Sequence, residues 1–149
     1  MPGRYFDGPS YRQRSLVSEG NYDGRVLTTA CGRAHDVYDA SCPCRHILDL
    51  LANKWSALAL GALEDGPRRF GELRARLDGI SPKVLTATLR RLEEHGLVDR
   101  TVYPAVPLHV EYSLTALGWD ACEPLARLRR WVVANIERFP ARTGAPDGR

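Results

Sequence analysis

The chain of 149 residues has almost no lysine: only Lys54 and Lys83 occur, so nearly all its positive charge is arginine. Arginine suits planar, bidentate partners such as phosphates and base edges. Strong net charge is missing too. A formal +3 and a pI near 8.8 permit a nucleic-acid partner without demanding one, so the placement of the charge must decide. No apolar run approaches the roughly 18 residues of a membrane-spanning helix. The opening MPGRYFDGPSYRQR lacks the apolar centre of a signal peptide, so a cytoplasmic protein with no membrane partner is expected. The four cysteines, Cys31, Cys42, Cys44 and Cys122, are too few and too unevenly spaced for a secreted disulfide framework. They are expected as thiols, which makes their reactivity a question. No internal repeat is present, and the length fits one domain with a real core plus tails.

The most informative stretch is GISPKVLTATLRRLEEHG, residues 79–96. Ser81 can cap a helix, Pro82 suits its first position, and Gly96 can stop it in a left-handed conformation with Leu97 touching Leu92. At 100° per residue, Leu85, Thr88, Leu89 and Leu92 form one stripe. Lys83, Ala87, Arg90 and Glu94 lie opposite, flanked by Thr86 and Arg91. One side packs and the other can dock. Lys83 and Arg90 can reach phosphates or guanine edges, while Thr86 and Ala87 are small enough to let a helix approach bases. Glu94 would repel phosphate, so contact should be confined to the first two turns.

Around this helix the periodicity supplies a frame. Residues 1–40, rich in Gly, Arg, Tyr, Asp and Ser, read as an extension, either disordered or an arm reaching a partner subunit or a minor groove. Pro43 opens a helix whose apolar side is Ile47, Leu48, Leu50 and Leu51, with a break at Asn53. Trp55, Leu58, Ala59, Ala62 and Leu63 continue the helical spacing to a turn at Asp65-Gly66-Pro67. Arg68 and Arg69 can form a short strand, and Phe70, Leu73 and Leu77 space out a third helix. Helix, Gly-bearing turn and second helix make the helix-turn-helix pattern. Leu108, Val110, Tyr112 and Leu114 then alternate with polar residues as a half-buried strand, paired with residues 97–103 across a Pro104–Pro107 loop. In that β-hairpin wing, Arg100 and His109 could reach phosphates. Thr115 can cap a last helix, kinked or restarted at Pro124. Its apolar residues Leu125, Leu128, Val132, Ile136 and Phe139, widened by Trp131 and Val133, suggest a partner subunit. Residues 140–149 read as a disordered tail.

CPCRHILDLLANKW (42–55) followed by DGPRRFGELRARLDGISPKVLTATLRRLEEHGLVDRTVYPAVPLHVEYSLTALG (65–118) resembles the HxlR-type transcriptional regulators, a MarR-related branch of the winged-helix regulators. ISPKVLT, LVDRTVYP, VP and VEYSLT fall in that family's order and spacing. The resemblance covers residues 42–139. It implies an α+β, mostly α, winged helix-turn-helix fold over 41–139 with flanking dimerisation helices, acting as a homodimer on double-stranded DNA with a pseudo-palindromic operator. The recognition helix would be 81–95 and the wing 97–114. The expected DNA-contacting residues are Ser81, Lys83, Thr86, Ala87, Arg90, Arg91, Arg100 and His109. The dimer surface would use Leu125, Leu128, Trp131, Val132, Ile136 and Phe139. Some members of the family sense quinones, aldehydes, hypochlorite or disulfide stress through a cysteine just before the first helix, a position held here by Cys42. The extension before it is longer than the family pattern, and Cys44 stands where the family commonly carries no thiol.

Cys42 near the helix N-cap and Cys44 near its second position would feel the positive helix end, with Arg45 and His46 adding donors; both effects favour thiolate. That makes Cys42 and Cys44 candidates for oxidant sensing. The other reading is a packed or capping cysteine in a regulator that answers a noncovalent ligand or none. Two residues apart on a helix, Cys44 is a poor disulfide partner for Cys42, so a bond between subunits or to Cys31 is the better expectation. Cys122 reads as buried structure. Cys31, His35, Cys42, Cys44 and His46 are zinc-type donors, but no CxxC pair is present, and neither a metal site nor a cofactor is expected. A thiol hydrolase built on Cys42 would lack an orienting third group and an oxyanion loop, so no enzyme is expected. A winged helix that serves protein interaction without DNA is the remaining rival.

Overall fold

The computed structural model describes residues 26–28 and 34–140. The expected tail at 140–149, the start of the extension and Cys31 therefore lie largely or wholly outside the described residues. The chain divides into two compact units, residues 1–48 and 49–149.

In the first unit, β1 (Val26–Thr28) pairs antiparallel with β2 (Ala34–Asp36), Leu27 opposite His35. This ladder lies within what composition marks as an extension. Turns then lead to α1 (Pro43–Ala52), with Cys42 just before its first residue.

In the second unit, Asn53 separates α1 from α2 (Lys54–Leu63): its side chain accepts hydrogen bonds from the Trp55 and Ser56 amides, so it caps a new helix instead of continuing the old one. Then come β3 (Arg68–Arg69), α3 (Phe70–Arg76), α4 (Pro82–Glu94), β4 (Val98–Tyr103), β5 (His109–Leu114) and α5 (Ala116–Asn135), with a 3₁₀ turn at Ile136–Arg138. The sheet order is β3-β5-β4, antiparallel throughout, so the two-residue strand of arginines completes the hairpin as a three-stranded wing. Helices α1 to α5 with this sheet make the mostly helical winged-helix fold.

Leucine dominates the core. Leu50, Leu60, Leu63, Leu73, Leu85, Leu89, Leu92 and Val98 are almost completely buried, with Cys122 and Leu125 closing it from α5. Ser56 and Thr88 are buried polar residues, yet among the described residues no buried side-chain polar atom lacks a partner. Helix α5 runs through Pro124 without restarting there. Pro124 withholds one amide from the helical ladder and crowds the carbonyl one turn earlier.

Candidate nucleic-acid interface

Helix α4 is bounded by local chemistry. The Ser81 hydroxyl accepts from the Val84 amide at 3.2 Å, and Pro82 holds the first position. At the other end Gly96 takes φ 68°, and the Leu97 amide donates to the Leu92 carbonyl at 2.9 Å, the six-to-one bond of a Schellman motif. Leu85, Thr88, Leu89 and Leu92 are buried. This fixes the helix in rotation, and Lys83, Thr86, Ala87, Arg90, Arg91 and Glu94 are all exposed.

Pro82, Lys83, Thr86, Ala87 and Arg90 line one open concavity. It is small-walled in the middle and basic at two corners, a shape suited to a convex, anionic edge. The Thr86 hydroxyl donates back to the Pro82 carbonyl at 2.8 Å, so outward it offers its methyl and its lone pairs. Arg91 is exposed but does not line the concavity. Glu94 closes the helix at the end far from it.

On the wing, Arg100 is exposed in β4, opposite Tyr112. His109 is placed differently from the expectation of a free phosphate contact. One ring nitrogen lies 2.6 Å from Arg69 Nη2, the other 2.6 Å from a Glu111 carboxylate oxygen, and the ring stands edge-on to Tyr103 at 5.1 Å. Both nitrogens are occupied because β3 pairs with β5 and sets Arg69 opposite Glu111. The exposed cation at this place is Arg69, carried by the Arg68-Arg69 pair that forms the third wing strand. Arg68 is used internally, its Nε donating to the Ala62 carbonyl at 2.7 Å.

The apolar residues of α5 separate into two sets. Leu125 is 8% exposed and belongs to the chain's own core, which corrects its place on the dimer surface: its turn of α5 packs toward α2. Leu128, Trp131, Val132, Ile136 and Phe139 remain 41–60% exposed, and Trp131 and Phe139 pack edge-on at 6.0 Å. Cys122 is buried, its thiol pushed up to about 12 first by burial and then by the Glu64 carboxylate. It is structural, as its helix position suggests.

In the first unit, Cys42 is buried and Cys44 half-buried. The Cys44 thiol, hydrogen-bonded to the Cys42 sulfur, is the main reason that the Cys42 pKa is lowered to about 7, with His35 helping against burial; the same bond raises that of Cys44. Because Cys42 precedes the helix, the two sulfurs come within 4.8 Å, closer than two positions along one helix suggest. His46 is exposed and outside this group.

Residues 50–139 match the family model described as HxlR-like helix-turn-helix. The chain belongs to the HxlR family. Among the relatives, the HTH-type transcriptional regulator YtfH of Escherichia coli (strain K12) is 41% identical over 101 residues, covering 68% of this chain and 80% of that protein. A solved structure of the transcriptional regulator ytfH from Salmonella typhimurium superposes with a TM-score of 0.66 at 39% identity, over 70% of this chain and 93% of that one. The redox regulator HypR in its oxidized form superposes at 0.59 with 37% identity, over 63% of this chain and 97% of that one. This HxlR-family chain is thus a helix-turn-helix transcriptional regulator by family, and among its described residues no helix is long and apolar enough to cross a membrane.

Proposed function

We propose that the protein is a sequence-specific regulator that binds a pseudo-palindromic operator as a homodimer, with α4 of each subunit in a major groove. The observation that carries this reading is the exposed face of α4. Its opposite face is locked in the core, and Lys83, Thr86, Ala87 and Arg90 form one open basic surface on its first turns. Lys83, Thr86 and Arg90 face bases; Arg91, Arg100 and Arg69 face phosphates, with His109 holding Arg69 in place. Half-sites about 34 Å apart, or a small multiple of that, follow from two-fold symmetry. The test is a mobility-shift assay on the DNA flanking the protein's own gene, titrated against salt and competitor. A retarded band that survives excess nonspecific DNA is expected, whereas binding that competitor abolishes at every concentration sinks the reading in favour of a protein-interaction module.

The effector in this proposal is an oxidant or electrophile acting at Cys42, supported by its place before α1 and by the likeness to a protein whose title calls it a redox regulator. Diamide would accept the two electrons and two protons released as the Cys42 thiol joins a second thiol, across subunits or within the chain. Operator binding should change on diamide treatment in the wild type and not in Cys42→Ser. An equal response in both rules out Cys42 as the sensor, and no response in either leaves a noncovalent effector or none.

A further inference from the structure

Outside the DNA-facing surface, the densest group of reactive side chains is His35, Cys42 and Cys44, whose donor atoms all lie within 4.8 Å of one another. The chain between them is ordered by bonds that do not involve the thiols. Asp36 Oδ1 accepts from the Tyr38 amide at 2.9 Å, Asp39 Oδ1 accepts from the Ser41 amide at 2.8 Å, and the Cys42 amide donates to the Asp39 carbonyl at 3.1 Å. These successive turns fold the end of β2 back toward the start of α1. They leave His35 Nδ1 3.6 Å from Cys42 Sγ.

That distance suits a thiol–imidazole hydrogen bond and equally an edge of a zinc site. With Zn–S near 2.3 Å and Zn–N near 2.0–2.1 Å, the sulfur–nitrogen edge of a tetrahedron is about 3.6 Å and the sulfur–sulfur edge about 3.8 Å. One edge already has its liganded length, and the other donor atoms lie within 4.8 Å of one another. Two thiols and an imidazole are also the donor set that favours zinc over calcium or magnesium.

We propose that His35, Cys42 and Cys44 bind one Zn2+ per chain, with the fourth coordination position open to water or another donor. Both cysteines bind as thiolates, any proton they still hold passing to solvent, and the imidazole binds in its neutral form, so the metal with its three protein ligands carries no net charge. That neutrality suits the buried position of Cys42, where a lone thiolate would be costly. The ion would fasten the β1–β2 ladder to the first turn of α1. Spacing alone did not reveal the site because one ligand comes from a strand and no CxxC pair occurs. The inference does not depend on the DNA reading, since the ligands belong to residues 1–48.

The test uses the full chain, reduced and stripped with a chelator, then titrated with Zn2+ against a chromophoric competitor and separately with Co2+. Expected are one equivalent bound, release of about one to two protons at neutral pH because Cys42 is already partly thiolate, and a thiolate-to-cobalt charge-transfer band. Cys42→Ser/Cys44→Ser and His35→Ala should each weaken binding by about 100-fold or more, beyond the 10–100-fold that outer partners of a metal typically contribute. His35→Cys, which keeps a donor, should retain binding, and Cys122→Ser should match the wild type. Absence of stoichiometric binding, or wild-type affinity in the double cysteine variant, overturns the site. Should that variant fail to fold, the His35 pair decides: equal affinity in His35→Ala and wild type removes the cluster.

Discussion

In the proposed docking, two arginines should behave differently because they would meet different parts of DNA. Arg90 borders the concavity of α4, beside Thr86 and Ala87, where the helix would face base edges. Arg100 projects from β4, exposed on the wing. A bidentate base contact carries sequence information, and a phosphate contact does not. Arg90→Ala should therefore lower operator affinity by about 1–3 kcal/mol and relax specificity at one position. Arg100→Ala should weaken all sequences alike and reduce the salt slope by about one. Fluorescence anisotropy on operator and scrambled duplexes at several salt concentrations separates the two, and unchanged binding in Arg90→Ala would remove it from the interface. His109 belongs to the same scale. Its ring is bonded to Arg69 and Glu111, so its removal should act through the orientation of Arg69 and not through a lost contact of its own.

Where α4, the wing and α5 meet, one short set of hydrogen bonds centred on Thr115 serves three elements. Thr115 Oγ1 donates to the Gly96 carbonyl at 2.6 Å and accepts from the Gly118 amide at 3.0 Å, while the Thr115 amide donates to the Leu97 carbonyl at 3.2 Å. Gly118 is the close point: a Cβ there would stand 2.0 Å from the Leu97 carbonyl oxygen, a backbone atom that no rotamer can move. Gly118→Ala should destabilise the fold by about 3 kcal/mol through overpacking. Gly71→Ala in α3, where an added Cβ meets nothing within 4 Å, should be neutral or gain up to about 1 kcal/mol. Urea midpoints of the two variants compare these directly, and equal midpoints would refute the crowding. The elements themselves were legible because their signals are local: Ser81-Pro82 and Gly96 bound α4, Asn53 breaks α1 from α2, and strict alternation marks β5. The pairing of β1 with β2, the partners of His109 and the approach of His35 to two cysteines were not. The Arg69 partner of His109 lies 40 residues away in the chain. Strands β1 and β2, and His35 and Cys42, are near neighbours in sequence, but no periodicity carries the information that they meet.

For the molecule as a whole, the question is what the far end of α5 does in water. Periodicity groups Leu125 with Leu128, Val132 and Ile136, but it does not say how much of that stripe the chain's own core takes up. The core takes Leu125 and stops there. Beyond it Leu128, Trp131, Val132, Val133, Ile136 and Phe139 leave 41–74% of their surface exposed, apolar surface of an extent that marks interaction sites. A second copy offers the identical patch, and a two-fold contact lets each stripe cover the other. Such a dimer would also couple the two reading helices, so that the second half-site binds at an effective concentration set by the dimer and not by solution. Val132→Glu/Ile136→Glu places charges in the middle of that surface, far from α4. Sedimentation should show a dimer for the wild type and a monomer for the variant, with the helical circular dichroism of α4 and the core preserved. Operator affinity should then fall by about 100-fold or more while affinity for a single half-site stays as it was. A variant that still sediments as the dimer would place the subunit contact elsewhere.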